Sequence, residues 1–189
     1  MLLDLVRARR SIRRYRDTPV EREKIELCLE AARLAPSACN AQPWKFVVAD
    51  DPELKARLAR AAFSGIFSMN SFAGRAPAIV AAFALPGSFL PRLAGSLQGK
   101  QYRLIDLGIA CEHFILQAAE LGLGTCWIGW FDARKVKKLL DSAVKGDPVA
   151  LIAVGYPEEK PSPAPRKERG EMAVFNPAIR NPQPVNRKQ

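Results

Sequence analysis

A single histidine, His113, stands in a chain of 189 residues, so histidine-based proton relays and multi-histidine metal sites have almost nothing to be built from. Cysteine is sparse too. Cys28, Cys39, Cys111 and Cys126 lie far apart and form no C-x-x-C pair. A zinc site or a thioredoxin-like redox centre therefore has no support, and four separate reduced thiols is the favoured reading. No apolar run reaches the ~18 residues that a membrane span needs, and Met1 to Arg16 holds no apolar stretch followed by a cleavage site. These absences lead to the expectation of a soluble, cytoplasmic protein with no membrane contact. No internal repeat or low-complexity tract appears.

What is present is enough apolar sequence for one sizeable core: 48% of residues are hydrophobic. The expectation is one domain over 1–189, with 156–189 as an extended arm. Seven prolines between Tyr156 and Pro184, with few large aliphatic residues, leave that arm unable to form a core and in need of a partner surface. The net charge of +10 is concentrated at the ends: residues 1–24 carry +4 and residues 160–189 carry +5. Clustered Lys and Arg suit either a nucleic-acid footprint or a pocket for one phosphorylated cofactor.

Thr18-Pro19-Val20-Glu21 has the signature of a helix start, with a Thr cap and Pro at the first helical position, and the following helix is stopped by Pro36. Residues 35–43 read as an ordered loop, Trp44 to Ala49 as a strand, and Asp51-Pro52 as the cap and first residue of a helix to about residue 62. Residues 63–76 show no clear element, Pro77 to Ala84 reads as a buried strand, and 87–100 as a loop or lid. The stretch Tyr102 to Leu121 predicts a central buried helix with a stop at Gly122. A strand over Cys126 to Phe131, a short helix capped by Asp132 and a strand over Val149 to Val154 complete the chain. Without a regular βαβ alternation the fold class is α+β.

Three segments carry candidate chemistry. Arg9-Arg10-Ser11-Ile12-Arg13-Arg14 could surround a phosphate, because guanidinium groups match phosphate oxygens in a fixed fork; a solvated helix face is the alternative. In Pro36-Ser37-Ala38-Cys39-Asn40-Ala41-Gln42-Pro43, small residues leave the backbone open while Ser37, Asn40 and Gln42 could address the edge of a planar heterocycle; ordinary turn chemistry uses the same residues. Gly122-Leu123-Gly124-Thr125-Cys126-Trp127-Ile128-Gly129 is not the dinucleotide fingerprint, since the third glycine is displaced and a strand follows. Gly129 in that β-prone run marks a close approach, to another strand or to a ligand plane. His113, Cys39 and Cys126 read as packing residues, as do the indoles of Trp127 and Trp130.

These segments, together with the strand after Ala76, the D-x-G-x-A helix from Asp106 and the late VGYPEEKP-to-PRK stretch, resemble the FMN-dependent nitroreductase family over nearly the whole chain. The resemblance implies a nitroreductase-like fold with a central mixed or antiparallel sheet flanked by helices, and a C-terminal arm exchanged across a homodimer. It implies FMN as cofactor. Arg10 and Ser11 would hold its phosphate, and Arg13 would lie beside the N1/O2 edge, where a cation stabilises the anionic reduced flavin. Ser37 and Asn40, with Gln42 close by, would reach the flavin from the other subunit. Gly129 and Trp130 would lie against N5, and Arg166 and Lys167 would close on the phosphate. Arg9, Pro36, Trp127 and Ile128 belong to the same cofactor-binding set. Ala38 departs from the pattern, standing where a second serine is common.

The implied activity is transfer of hydride from NADH or NADPH through flavin N5 to a nitroaromatic, quinone or similar small acceptor, in a ping-pong cycle that needs no metal and no side-chain catalyst. Three rivals are a specialised relative acting as a dehalogenase, a flavin-cleaving enzyme or a dehydrogenase, a flavin-binding protein without catalysis, and a nucleic-acid-binding module. The family resemblance gives no nucleic-acid partner.

Overall fold

The computed structural model describes residues 1–86, 95 and 99–177. The loop expected over 87–100 lies largely outside those residues, as does the arm beyond 177. Two strands with near-continuous apolar sequence sit at the centre of the sheet: β2 (Ala78–Ala84), buried at every position, and β4 (Asp147–Gly155). They are flanked by β1 (Trp44–Ala49) and β3 (Gly124–Ile128) in the order β1-β2-β4-β3, every neighbouring pair antiparallel. Of the two sheet types the resemblance allowed, the sheet is antiparallel throughout.

Both faces of the sheet are covered, so its period-two alternation distributes side chains between two cores rather than between core and water. Val80, Ala82, Ile152 and Val154 point to one side, where they meet α2 (Arg22–Arg33) and α4 (Tyr102–Glu120) through Cys28, Leu107, Cys111 and Phe114. Ile79, Phe83, Leu151 and Ala153 point to the other, against α3 (Pro52–Ala62) and α5 (Ala133–Leu140) through Leu58, Ala62, Val136 and Leu140. α1 (Leu2–Ala8) leans on α4, and α6 (Arg169–Met172) is a single turn within the arm. Among the described residues no helix is long and apolar enough to cross a membrane.

The Asp51 and Asp132 caps form as expected: their side chains accept from the backbone N–H of Leu54 (2.9 Å) and Lys135 (3.0 Å). Gly122, at φ 76°, follows the end of α4 in the left-handed region. The Thr18 cap does not form. α2 starts at Arg22, with Glu21 as the flanking residue, and the Glu21 carboxylate accepts from the Tyr156 hydroxyl (2.6 Å) and Lys24 (3.3 Å). Residues 65–75, without a clear element in the sequence, form a 3-10 segment.

Candidate functional site

The segment Arg9 to Tyr15 leaves α1 and runs along the free edge of β3. Ser11 bridges Thr125 in parallel, and the Ile12 N–H donates to the Thr125 carbonyl at 2.9 Å. Ile12 and Tyr15 anchor it in the core. The Tyr15 hydroxyl donates to the Ile12 carbonyl at 2.6 Å, and burial pushes its pKa up. Close approach requires Gly124 here, because a Cβ at that position would stand 2.7 Å from the Ile12 side chain. With Ile12 turned inward, Arg9, Arg10, Ser11 and Arg13 line an outward groove of about 470 Å³, and Arg166 from the arm lines it from the opposite side. The two basic ends of the chain thus meet. Lys167 is exposed, next to Arg166.

The three arginines of the N-terminal segment in this groove are held differently. Arg10 is a clamp: its guanidinium donates to the carbonyls of Pro161 (3.2 Å), Arg7 (2.5 Å) and Arg9 (2.7 Å), which fixes the start of the arm to the N-terminal segment. The buried Arg9 Nε lies 4.0 Å from the Glu112 carboxylate, an ion-pair distance too long for a hydrogen bond, and has no hydrogen-bond acceptor among the described residues. Such an atom is a costly feature unless something else satisfies it. Arg13 is exposed, and its guanidinium carbon stands 6.0 Å from the centre of the Phe72 ring. Glu159 sits beside them, accepting from the Arg13 N–H (3.2 Å) and from Arg14 Nε (3.0 Å), so part of the positive field is neutralised locally.

Trp127, within β3, and Trp130, just beyond its end, are 40% and 53% exposed. Both were expected to be packing residues, and Trp127 instead points outward. β3 is an edge strand, and Trp127 is its outward residue; Trp130 follows the strand and packs against Phe67, with the rings tilted at 51° and 5.1 Å between ring centres. Its indole N–H donates to the Ile66 carbonyl (3.3 Å), and Asn70 Nδ2 donates to the Trp130 carbonyl (2.8 Å). The 3-10 segment therefore fixes the Gly129-Trp130 backbone. Ile128 is buried, whereas a Cβ at Gly129 would meet nothing within 4 Å, so no second strand accounts for that glycine.

The 36–42 loop does not line the basic groove of its own chain. Cys39, Asn40 and Gln42 all adopt positive φ (52°, 52° and 44°), an uncommon backbone for non-glycine residues. Ser37 Oγ accepts from the Gln42 N–H (2.9 Å), and Asn40 Oδ1 accepts from Gln42 Nε2 (3.0 Å). Pro36 and Asn40 are exposed and Ser37 half-buried. His113 is half-buried, in a shallow apolar groove between α1, α2 and α4, away from these residues. Among the described residues no group of three His, Cys, Asp or Glu side chains is placed to hold a metal.

The model of the nitroreductase family matches residues 6–156. This chain belongs to the nitroreductase family. A relative in Streptococcus pyogenes that carries the name NAD(P)H nitroreductase is 32% identical, over 87% of this chain and 94% of its own. The iodotyrosine deiodinase of Thermotoga neapolitana is 27% identical, over 92% and 96%. Among solved structures, an FMN-dependent nitroreductase from Clostridium difficile superposes with a TM-score of 0.71 at 28% identity, covering 93% of this chain and 99% of that one. The nitroreductase fold thus carries the basic groove, the Gly129 edge and the 36–42 loop of this chain. Nothing in the sequence assigned a role to Glu159 or Phe72, and Asp106 was marked only as the first residue of the D-x-G-x-A motif in an apolar helix.

Proposed function

We infer that this nitroreductase-family protein is an FMN-dependent NAD(P)H oxidoreductase that passes electrons to nitroaromatic, quinone or similar electron-poor small molecules, and that it works as a homodimer. The observation that carries the reading is the basic groove, where Arg9, Arg10, Ser11, Arg13 and Arg166 line one space. A terminal phosphate supplies the acceptor oxygens that such a cradle calls for. The residues therefore fit FMN.

In this reading Ser11, Arg9, Arg166 and Lys167 bind the phosphate, and Arg10 orients the cradle by tying the arm to the N-terminal segment. Arg13 places positive charge beside the cofactor's pyrimidine edge, stabilising the negative charge that develops on reduction. Gly129 leaves its side of the backbone open for a flat ring, while Asn70 and Ile66 hold Trp130 in register. Ser37, Asn40 and Gln42 approach from the neighbouring subunit, with Pro36, Trp127 and Ile128 shaping the surround. Bound FMN supplies the hydride chemistry, taking two electrons from NADH or NADPH and giving them to the acceptor.

Titration of the purified protein with FMN, followed by quenching of flavin fluorescence, tests this. The expected outcome is saturable one-to-one binding that Ser11→Ala weakens severalfold and Arg9→Ala tenfold or more, with unchanged melting of the apoprotein. Binding that is indifferent to both substitutions would move the site elsewhere.

A further inference from the structure

Asp106 is 5% exposed, one turn into α4 and surrounded by the apolar residues that bury that helix. Burying a carboxylate is costly unless it is hydrogen-bonded. The partner comes from 68 positions away: both carboxylate oxygens lie 3.2 Å from the backbone nitrogen of Ala38, which donates to them. Ala38 is the residue between Ser37 and the run of positive-φ residues Cys39, Asn40 and Gln42. A backbone of that kind persists only where its surroundings over-determine it. The Ser37–Gln42 and Asn40–Gln42 side-chain hydrogen bonds are internal to the loop and turn with it. The Asp106 carboxylate is different, because it belongs to a 19-residue helix packed against the sheet. It ties the loop to a rigid element.

We propose that Asp106 is a positioning residue, which holds the 36–42 loop in the one conformation that presents Ser37 and Asn40 to the flavin of the neighbouring subunit. The inference rests on the flavin reading for its consequence, but not for its mechanics. Removing the acceptor frees the Ala38 N–H and lets the three strained residues relax toward ordinary backbone, so the polar groups of the loop lose their common geometry while the sheet and α4 stay packed.

The test compares wild type, Asp106→Ala and Asp106→Asn by amide hydrogen exchange of the apoprotein and by FMN titration. Asn keeps one carbonyl oxygen where the carboxylate stood and so retains an acceptor for Ala38. In Asp106→Ala, exchange across 36–43 is expected to rise at least tenfold while α4 and the four strands keep their protection, and FMN affinity is expected to fall about tenfold. Asp106→Asn is expected to stay within threefold of wild type in both. Unchanged exchange at 36–43 in Asp106→Ala overturns the proposal. So does loosening spread evenly over α4 and the sheet, or an Asp106→Asn protein indistinguishable from Asp106→Ala. Failure of the wild type to bind FMN would refute the flavin reading instead, and the exchange comparison would still decide whether Asp106 holds the loop.

Discussion

Arg13 and Arg9 carry the same charge in different surroundings, and their substitutions should separate. Arg9 is half-buried beside Glu112, whereas Arg13 is exposed and screened by solvent. Arg13→Gln is expected to leave FMN affinity within a few-fold but to slow reduction of bound flavin by NADH or NADPH on the order of tenfold. That is less than the ~10² typical of a preorganised donor in a water-excluded site. Stopped-flow absorbance checks it, and equal losses in affinity and rate would contradict the assignment. The thiols separate as clearly. Cys28 and Cys111 are buried, which pushes their pKa values up to about 12, and burial also raises that of Cys126. Cys39 is exposed. One fast-reacting thiol in the native protein and four in denaturant is the expected titration; a second fast thiol would place one of the buried three at the surface.

Among the elements, those whose signals are local were legible in the sequence. The Asp51 and Asp132 caps, the stop at Gly122 and the apolar run of β2 follow from residues within a few positions, and each appears where its chemistry puts it. The Thr18 cap does not form: the helix starts at Arg22, and Glu21 before it accepts from Tyr156 across the chain, a contact that no local motif announces. The exposure of Trp127 was hidden for a related reason: indoles are usually buried, and only the sheet order reveals that β3 is an edge strand. Asp51→Ala should cost about 1 kcal/mol and lower the melting temperature by ~2–4 °C for a chain of this size, as calorimetry can check. Asp147 ties β4 to α5 and α4, accepting from Lys137 (2.8 Å) and Arg103 (3.0 Å), and these hydrogen bonds hold its carboxyl below the usual range. A depressed folded-state pKa stabilises above the ordinary value of about 3.9 and is lost as pH falls through the folded value. The melting temperature should therefore drop below about pH 4, and Asp147→Asn should flatten part of that drop; an unaltered acid limb would show that the cluster contributes nothing.

At the scale of the whole molecule, charge placed at both ends of the chain became one groove, which was legible because the excess of Arg and Lys was confined to those ends. The Asp106–Ala38 contact was not, since neither residue type nor spacing pairs positions 68 apart. Binding of a reducible FMN is tested most directly by the visible spectrum of the purified protein, equilibrated with FMN and freed of excess, then given NADH or NADPH without oxygen. A bound flavin spectrum that bleaches is the predicted result. A protein that retains no flavin, or one whose flavin stays oxidised with both donors, would contradict it.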